Sequence, residues 1–282
     1  MTEDSSLPTL EPETYYDEYG HEEWERLEAT LGGYLEFEGT TAVLEQHLPP
    51  TGQVLDAGGG AGRYTVWLAE RGYQVTLVDL SREQCAIARQ KVEEHGVADR
   101  VTIERGDLRR LPYDTGAFDA VCCTGGPLSH LTEETDRTRA LEELRRVARA
   151  AAPVFVSVMG RLAVLQNLIR SPEYAPAVGP VLEHGTYDAQ LARDHLSHLE
   201  EPAFTACHFF RAAELEAALE EAGLEVTALL GLEGVAANVG ERLPLEDLSE
   251  ETVDEVTASV RSLRDDPAVV DWSNHLLAVA RA

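Results

Sequence analysis

Lysine is all but missing from this chain. Lys91 is the single one, and the other basic side chains are arginines. Basic residues are scarce altogether, 23 against 51 aspartates and glutamates, which leaves a formal charge of −28. The acid runs from Glu3 and Asp4 to Asp265 and Asp266 without gathering on one segment. It therefore reads as surface charge that keeps a chain soluble in a high-salt cytoplasm, and less well as a face for a cationic partner. Such a chain repels nucleic acid at low salt. In molar salt that repulsion is screened within about 3 Å, so acidity counts only weakly against an RNA partner.

Cysteine is also scarce, at Cys85, Cys122, Cys123 and Cys207, and no two form a CxxC pair. That argues against a disulfide framework and favours four small buried apolar residues. Cys122 and Cys123 fall in an apparent strand, where neighbours point to opposite faces. Long hydrophobic runs are absent too. The longest are strand-length, such as Val154 to Met159, far short of the ~20 residues that span a bilayer, so no membrane partner is expected. Met1 to Glu11 is acidic and polar, without the basic start and apolar stretch of a signal peptide, which reads as cytoplasmic.

What is present is an alternation of strands and helices. Gln53 to Ala57, Gln74 to Asp79, Arg100 to Arg105, Phe118 to Thr124 and Pro153 to Met159 read as strands. Helices read between them over Arg63 to Arg71, Ser81 to His95 and Thr132 to Ala150, with Gly72 and Gly96 as stops. This rhythm predicts βαβ units and a doubly wound α/β domain on a mostly parallel sheet. After it come a helix over Arg211 to Ala222, a strand over Leu224 to Leu230, a mostly helical Leu243 to Arg264 and a last strand over His275 to Ala280. Residues 1–48 precede the first strand and carry Tyr15, Tyr16 and Tyr19; they read as an N-terminal helical cap. Residues 160–210, broken by Pro172, Pro176, Pro180 and Pro202, read as an inserted lid. Residues 49–159 then form the ligand-binding core, and 211–282 complete the same domain.

The first strand runs into Asp56-Ala57-Gly58-Gly59-Gly60-Ala61-Gly62. Glycines there let the backbone turn sharply and approach a ligand closely, and the helix behind them offers free N–H groups. Asp79 ends the second strand, where a carboxylate can accept from a ribose diol. Together these features describe a nucleoside site at the carboxyl ends of parallel strands. A dinucleotide fingerprint needs its third glycine or alanine at position 63, which is Arg63, and no phosphate loop is present.

On these residues the sequence resembles the class I S-adenosylmethionine-dependent methyltransferases, and is similar to the small-molecule type found in ubiquinone and menaquinone biosynthesis. The likeness covers VLDAGGGAGRYTVWLAERGYQVTLVDLS, RGDLRRLP, FDAVCCTGGPLSHL, HFFRAAELEAALEEAGLEV and the tail DPAVVDWSNHLLAVARA. It implies a seven-stranded, Rossmann-like sheet with an antiparallel last strand, and S-adenosyl-L-methionine as cofactor. By that resemblance Gly58, Gly60 and Gly62 lie against the cofactor and Asp56 helps hold its methionine end. Asp79, with Leu80 beside it, takes the ribose hydroxyls, Asp107 and Leu108 the adenine edge, and Thr124 and Gly125 the methionine portion. One departure stands out: Ala151-Ala152-Pro153 replaces the family's Lys-Pro-Gly-Gly and shortens the turn into the fifth strand.

The implied activity is methyl transfer to a small molecule. Two alternatives keep the cofactor: a tRNA wobble-uridine-modifying enzyme, and a module that binds without transferring. The tRNA reading needs a basic track, which Arg109, Arg110, Arg145, Arg146 and Arg149 could supply unless they pair with neighbouring acids. His130 is the candidate general base, although it could simply lead into the next helix. His195 and His198 have a metal-ligand spacing on a probable helix, but no third ligand is evident and no metal is expected. His208 reads as pocket lining or core. Tyr15, Tyr16 and Tyr19 read as packing residues that could also close over the cofactor.

Overall fold

The computed structural model of the protein describes residues 11–199 and 204–282. Three helices come first among the described residues, α1 (Pro12–Tyr19), α2 (Glu22–Ala29) and α3 (Leu31–His47). Then strand and helix alternate: β1 (Gln53–Ala57), α4 (Arg63–Glu70), β2 (Gln74–Asp79), α5 (Arg82–Glu94), β3 (Val101–Arg105), β4 (Ala120–Cys123), α6 (Glu134–Val147) and β5 (Pro153–Met159). A mostly helical stretch follows, with α7 (Arg161–Arg170), α8 (Val178–His184) and α9 (Ala189–His195), and β6 (Thr186–Tyr187) pairs antiparallel with β7 (Cys207–His208). The chain closes with α10 (Ala212–Glu221), β8 (Glu225–Gly231), α11 (Glu250–Leu263), α12 (Pro267–Val270) and β9 (His275–Arg281).

Seven strands form one sheet in the order β3-β2-β1-β4-β5-β9-β8. Neighbours from β3 to β5 run parallel, and β9 is antiparallel to both β5 and β8. The chain steps outward from β1 to β3 and then returns to lay β4 on the other flank of β1. That reversal opens a crevice beyond the carboxyl ends of β1 and β4, the place where open α/β sheets bind ligands.

Strands buried on both faces set the two cores. Val121 and Cys123 of β4 pack with Leu141, Leu144 and Leu215 on one side. Ala120 and Cys122 face the other side with Val66, Leu68 and Ile87. The adjacent cysteines therefore part to opposite faces, and all four cysteines are free and buried.

Helix ends explain most departures from the sequence expectations. The helix expected over Thr132 to Ala150 ends sooner because Ala148 turns extended and forms a bridge with Phe118, while the β4 expected from Phe118 to Thr124 covers only Ala120–Cys123. In the segment expected as a proline-broken lid, Pro172 opens a short 3-10 turn and Pro180 lies within the first turn of α8. The segment has its own apolar cluster around Val181, Tyr187 and Phe209, while Pro202 lies outside the described residues. Helix α9 stops at His195, and His198 Nε2 instead contacts the Glu173 carbonyl at 2.9 Å, so the two histidines do not share a helix face. No helix among the described residues is long and apolar enough to cross a membrane.

Candidate functional site

A cavity of about 330 Å³ fills the crevice. Its floor comes from the loops that leave the strands: Gly58, Gly59 and Gly60 after β1, Asp79, Leu80 and Ser81 after β2, Asp107 and Leu108 after β3, and Thr124 and Gly125 after β4. Its roof includes Tyr16, Glu23 and Arg26 from α1 and α2. Eight of the ten residues implied as cofactor contacts thus meet in one cavity wall, and Asp56 and Gly62 stand behind it.

The glycine loop is folded by its own backbone. Gly58 N donates to the Val78 carbonyl at 2.7 Å, and Gly60 N donates to Asp79 Oδ2 at 2.9 Å. Gly58 has φ +75°, and a Cβ there would come within 2.4 Å of the Pro127 ring. Gly62 caps α4 in a left-handed conformation, and a Cβ added there would stand only 3.1 Å from the Cβ of Ala88 in α5. It therefore does the close-packing work that a dinucleotide fingerprint would assign to position 63. Asp56 is fully buried under the loop. Its Oδ2 accepts from Thr65 Oγ1 at 2.6 Å, and its Oδ1 has no hydrogen-bond partner among the described residues. Burial pushes its pKa up to about 6.

Asp79 accepts from backbone amides, taking Ser81 N on Oδ1 at 2.8 Å and Gly60 N on Oδ2 at 2.9 Å, with the Leu80 amide as a third donor. A carboxylate has about four acceptor sites, so the group keeps capacity for a further donor. Desolvation holds its pKa above the ordinary carboxylate value. The Asp107 carboxylate is gripped by Arg109, whose Nη2 lies 2.6 Å away and whose Nη1 reaches Asp136 at 2.6 Å. Those bonds lower the Asp107 pKa. Two further wall residues carry buried polar atoms without a partner among the described residues, Thr124 Oγ1 and Gln84 Oε1. Each unmade hydrogen bond costs about 1–3 kcal/mol, a cost a polar ligand would remove.

His130 sits where the loop after β4 meets the roof. Its Nε2 lies 2.9 Å from the Tyr16 hydroxyl and its Nδ1 3.2 Å from the Ala206 carbonyl. A carbonyl can only accept, so Nδ1 carries the proton and Nε2 accepts from Tyr16. Desolvation lowers the His130 pKa to about 4, which keeps the ring neutral. Tyr15 stacks with Tyr19 and meets Phe204 edge-on. His208 is buried, contacting Glu214 Oε1 at 2.5 Å and Thr186 Oγ1 at 2.9 Å, away from the cavity wall.

Sequence reasoning did not foresee how α1 is tied down. Ser81 and the Glu83 amide donate to Asp17 Oδ1 at 2.5 and 3.2 Å, placing a carboxylate at the start of α5, where a helix dipole favours it. Gln84 Nε2 donates to the Tyr16 and Gly20 carbonyls at 2.8 and 3.0 Å. Nor did it foresee Arg26 and Glu23 in the wall. The i,i+3 spacing was visible, but the partners that anchor Arg26 lie elsewhere in the chain. Three of the five arginines weighed as a basic track are taken by acids: Arg109 by Asp107 and Asp136, Arg146 by Glu143, and Arg149 by Asp119.

A family model described as a methyltransferase domain matches residues 54–151. The methyltransferase GfsG of Streptomyces halstedii is 32% identical over 119 residues, 42% of this chain and 38% of that protein. The ubiquinone biosynthesis O-methyltransferase of Pseudomonas aeruginosa is 31% identical over 185 residues, 64% of this chain and 67% of that enzyme. A solved S-adenosylmethionine-dependent methyltransferase of Methanosarcina mazei shares the fold at 17% identity with a TM-score of 0.59, covering 85% of this chain and 96% of its own. The chain spans less than half the length of the first curated relatives it matches.

Proposed function

The chain belongs to the class I S-adenosylmethionine-dependent methyltransferases, with S-adenosylmethionine as its cofactor, and from that premise we propose that it transfers the methyl group to a small-molecule acceptor held under the N-terminal helices. The observation that carries this reading is Asp79, whose carboxylate, held by backbone amides, keeps acceptor capacity beside a glycine loop in the wall of one cavity.

The residues present suit that cofactor. Asp79 would take the ribose diol, and Asp107 with Leu108 the adenine edge. Thr124 Oγ1 and Gln84 Oε1 are buried polar atoms without a partner among the described residues. Asp56 and Gly62 would act from behind, by shaping the loop. When bound, the cofactor supplies a methyl group that is electrophilic without further activation. The chain's own task is then to align the acceptor and keep water out. Tyr16 and His130, hydrogen-bonded to each other in the cavity lining, form the wall on which we place the acceptor. His130 has both ring nitrogens engaged and a low pKa, which supports a holding role over that of a free general base.

We read residues 160–210 as the lid over this wall, because Ala206 reaches both His130 and the cavity. The pairing of arginines with acids supports a small acceptor over tRNA. The dispersed acid supports a soluble enzyme of a high-salt cytoplasm.

Calorimetry with S-adenosylhomocysteine tests the site. The wild-type chain is expected to bind, and Asp79→Asn to bind at least about tenfold more weakly, since a hydrogen bond to a charged group contributes about 1.5–3 kcal/mol. Equal affinities would sink the ribose assignment. Label from a methyl-labelled donor is expected in the small-molecule fraction of a cell extract. Label in tRNA would replace the acceptor, and no label in either would reduce the chain to a binding module.

A further inference from the structure

A second cluster of ionisable groups lies behind the roof of the cavity, and none of it comes from the glycine-loop unit. Glu36 of α3 is buried, and its two oxygens lie 2.5 and 3.2 Å from Arg26 Nη1 and Nη2. On its other side His275 Nδ1, at the start of β9, stands 3.5 Å from Glu36 Oε2 and 2.7 Å from Glu233 Oε1. Glu233 is buried as well and also accepts from Ser273 Oγ at 2.7 Å and from the His275 amide at 2.8 Å. Arg26 and Glu23, 3.5 Å apart, are the members that line the cavity.

The ligand atoms of Glu36, Glu233 and His275 lie within 4.8 Å of one another, compact enough to hold a cation. That positive charge is already supplied. The Arg26 guanidinium covers both Glu36 oxygens, and the two carboxylates raise the His275 pKa to about 9, so the ring is an imidazolium. A buried charge of this kind is costly unless paired, and removing one member exposes the rest. The groups facing His275 are Glu36 on α3, Glu233 after β8, Glu241 in the turn over 240–242, and Arg26 on α2.

We propose that His275 is a positioning residue for the cofactor site: paired with Glu36, it fixes the carboxylate that holds Arg26 in the cavity wall, and so couples the last strand of the sheet to ligand affinity. The proposal rests on the reading of the cavity as the S-adenosylmethionine site. Without the charge on His275, Glu36 loses its tie to the last strand, and with it the fixed position from which it holds Arg26 in the wall.

The test is calorimetric binding of S-adenosylhomocysteine to the full chain. His275→Asn keeps an N–H near the Nδ1 position and removes the charge. It is expected to raise Kd about five- to tenfold at pH 7.5, and Arg26→Gln by at least as much. The double variant should bind no more weakly than Arg26→Gln alone, because the two residues act through one contact. Wild-type affinity should fall from pH 8 to 10 as His275 loses its proton near pH 9. In His275→Asn that fall should vanish. Additive effects, or an unchanged Kd and pH profile in a wild-type chain that binds, would overturn this proposal alone. No binding by the wild-type chain would overturn the cofactor reading with it. Should His275→Asn not fold by circular dichroism, Glu233→Gln serves instead. It withdraws one carboxylate from His275 and should move the alkaline fall to lower pH, and an unmoved profile overturns the proposal.

Discussion

The Tyr16 hydroxyl lies 2.9 Å from Nε2 of His130, joining the first helix to the loop after β4 in the lining of the cavity, although 114 positions separate the two in sequence. The ring it meets is neutral, with a pKa lowered to about 4 by desolvation. A histidine lowered below its unfolded value of about 6.5 binds its proton more readily in the unfolded chain. Its contribution is therefore intact above pH 6.5 and is lost as pH falls towards 4. Urea titrations of wild type and His130→Asn should show the wild type losing on the order of 3 kcal/mol relative to the variant across that window. A difference that does not change with pH would refute the neutral, buried ring.

Asp56 has the opposite sign. Its pKa rises from 3.8 to about 6 under burial, with only Thr65 bonded to its side chain. A carboxyl raised in this way favours the folded state when protonated, so stability falls as pH rises from 3.8 to 6 and stays lower above it. Asp56→Asn should raise the stability of the ligand-free chain at pH 8 by about 1–3 kcal/mol and erase that window. Binding of S-adenosylhomocysteine should weaken at the same time, an exchange of stability for function common at strained sites. Thermal unfolding with and without ligand at pH 5 and pH 8 reads both effects. A variant no more stable than wild type at pH 8 would refute the buried charge.

The sheet and its ligand edge were legible because their signals are local. Period and glycine stops fixed β1 to β5 and the helices between them, and turn glycines with Asp79 marked the crevice. What was not legible depends on contacts between distant segments. Asp17 at the start of α5, the Tyr16–His130 pair and the chain from Arg26 to His275 each join residues whose proximity no periodicity reports. Gly62 shows the limit within a motif. Spacing placed it beside the ligand loop, but only the approach of α4 to Ala88 says that it packs helices and does not line the cavity. Past the shortened turn at Ala151 the fifth strand pairs with β4 without a break, Val121 opposite Val154 and Cys122 opposite Phe155.

Two glycines with positive φ separate backbone cost from steric cost. Gly96, at φ +69°, has no atom of the described residues beyond its chain neighbours within 4 Å of an added Cβ. Gly58, at φ +75°, would place that carbon 2.4 Å from Pro127. Gly96→Ala should therefore cost only the left-handed penalty, about 1–2 kcal/mol, and leave ligand affinity unchanged. Gly58→Ala should cost that and about 1–3 kcal/mol more for overpacking. It should also displace the loop, so that binding of S-adenosylhomocysteine is lost. Equal destabilisation by the two, measured in urea, would mean that the Pro127 ring yields and that the loop is not held against it.

Ala151 occupies the position where the shortened turn enters β5, and it does so at φ +63°, a conformation that favours glycine. Its amide is not wasted, since it donates to the Ala282 carbonyl at 2.8 Å, and the Ala151 carbonyl accepts from Arg281 Nη1 at 3.2 Å. The turn thus trades backbone strain for a tie to the end of β9. A left-handed alanine costs about 1–2 kcal/mol, while glycine gives back about 0.4–1 kcal/mol through the freer unfolded chain. Both backbone bonds survive the exchange, because neither uses the side chain. Ala151→Gly should therefore stabilise the protein by about 0.5–1 kcal/mol. In a chain of this size that corresponds to a rise in Tm of about 1–3 °C with ligand affinity untouched. A lower Tm would mean that the positive φ carries no strain here and that the methyl group of Ala151 packs favourably.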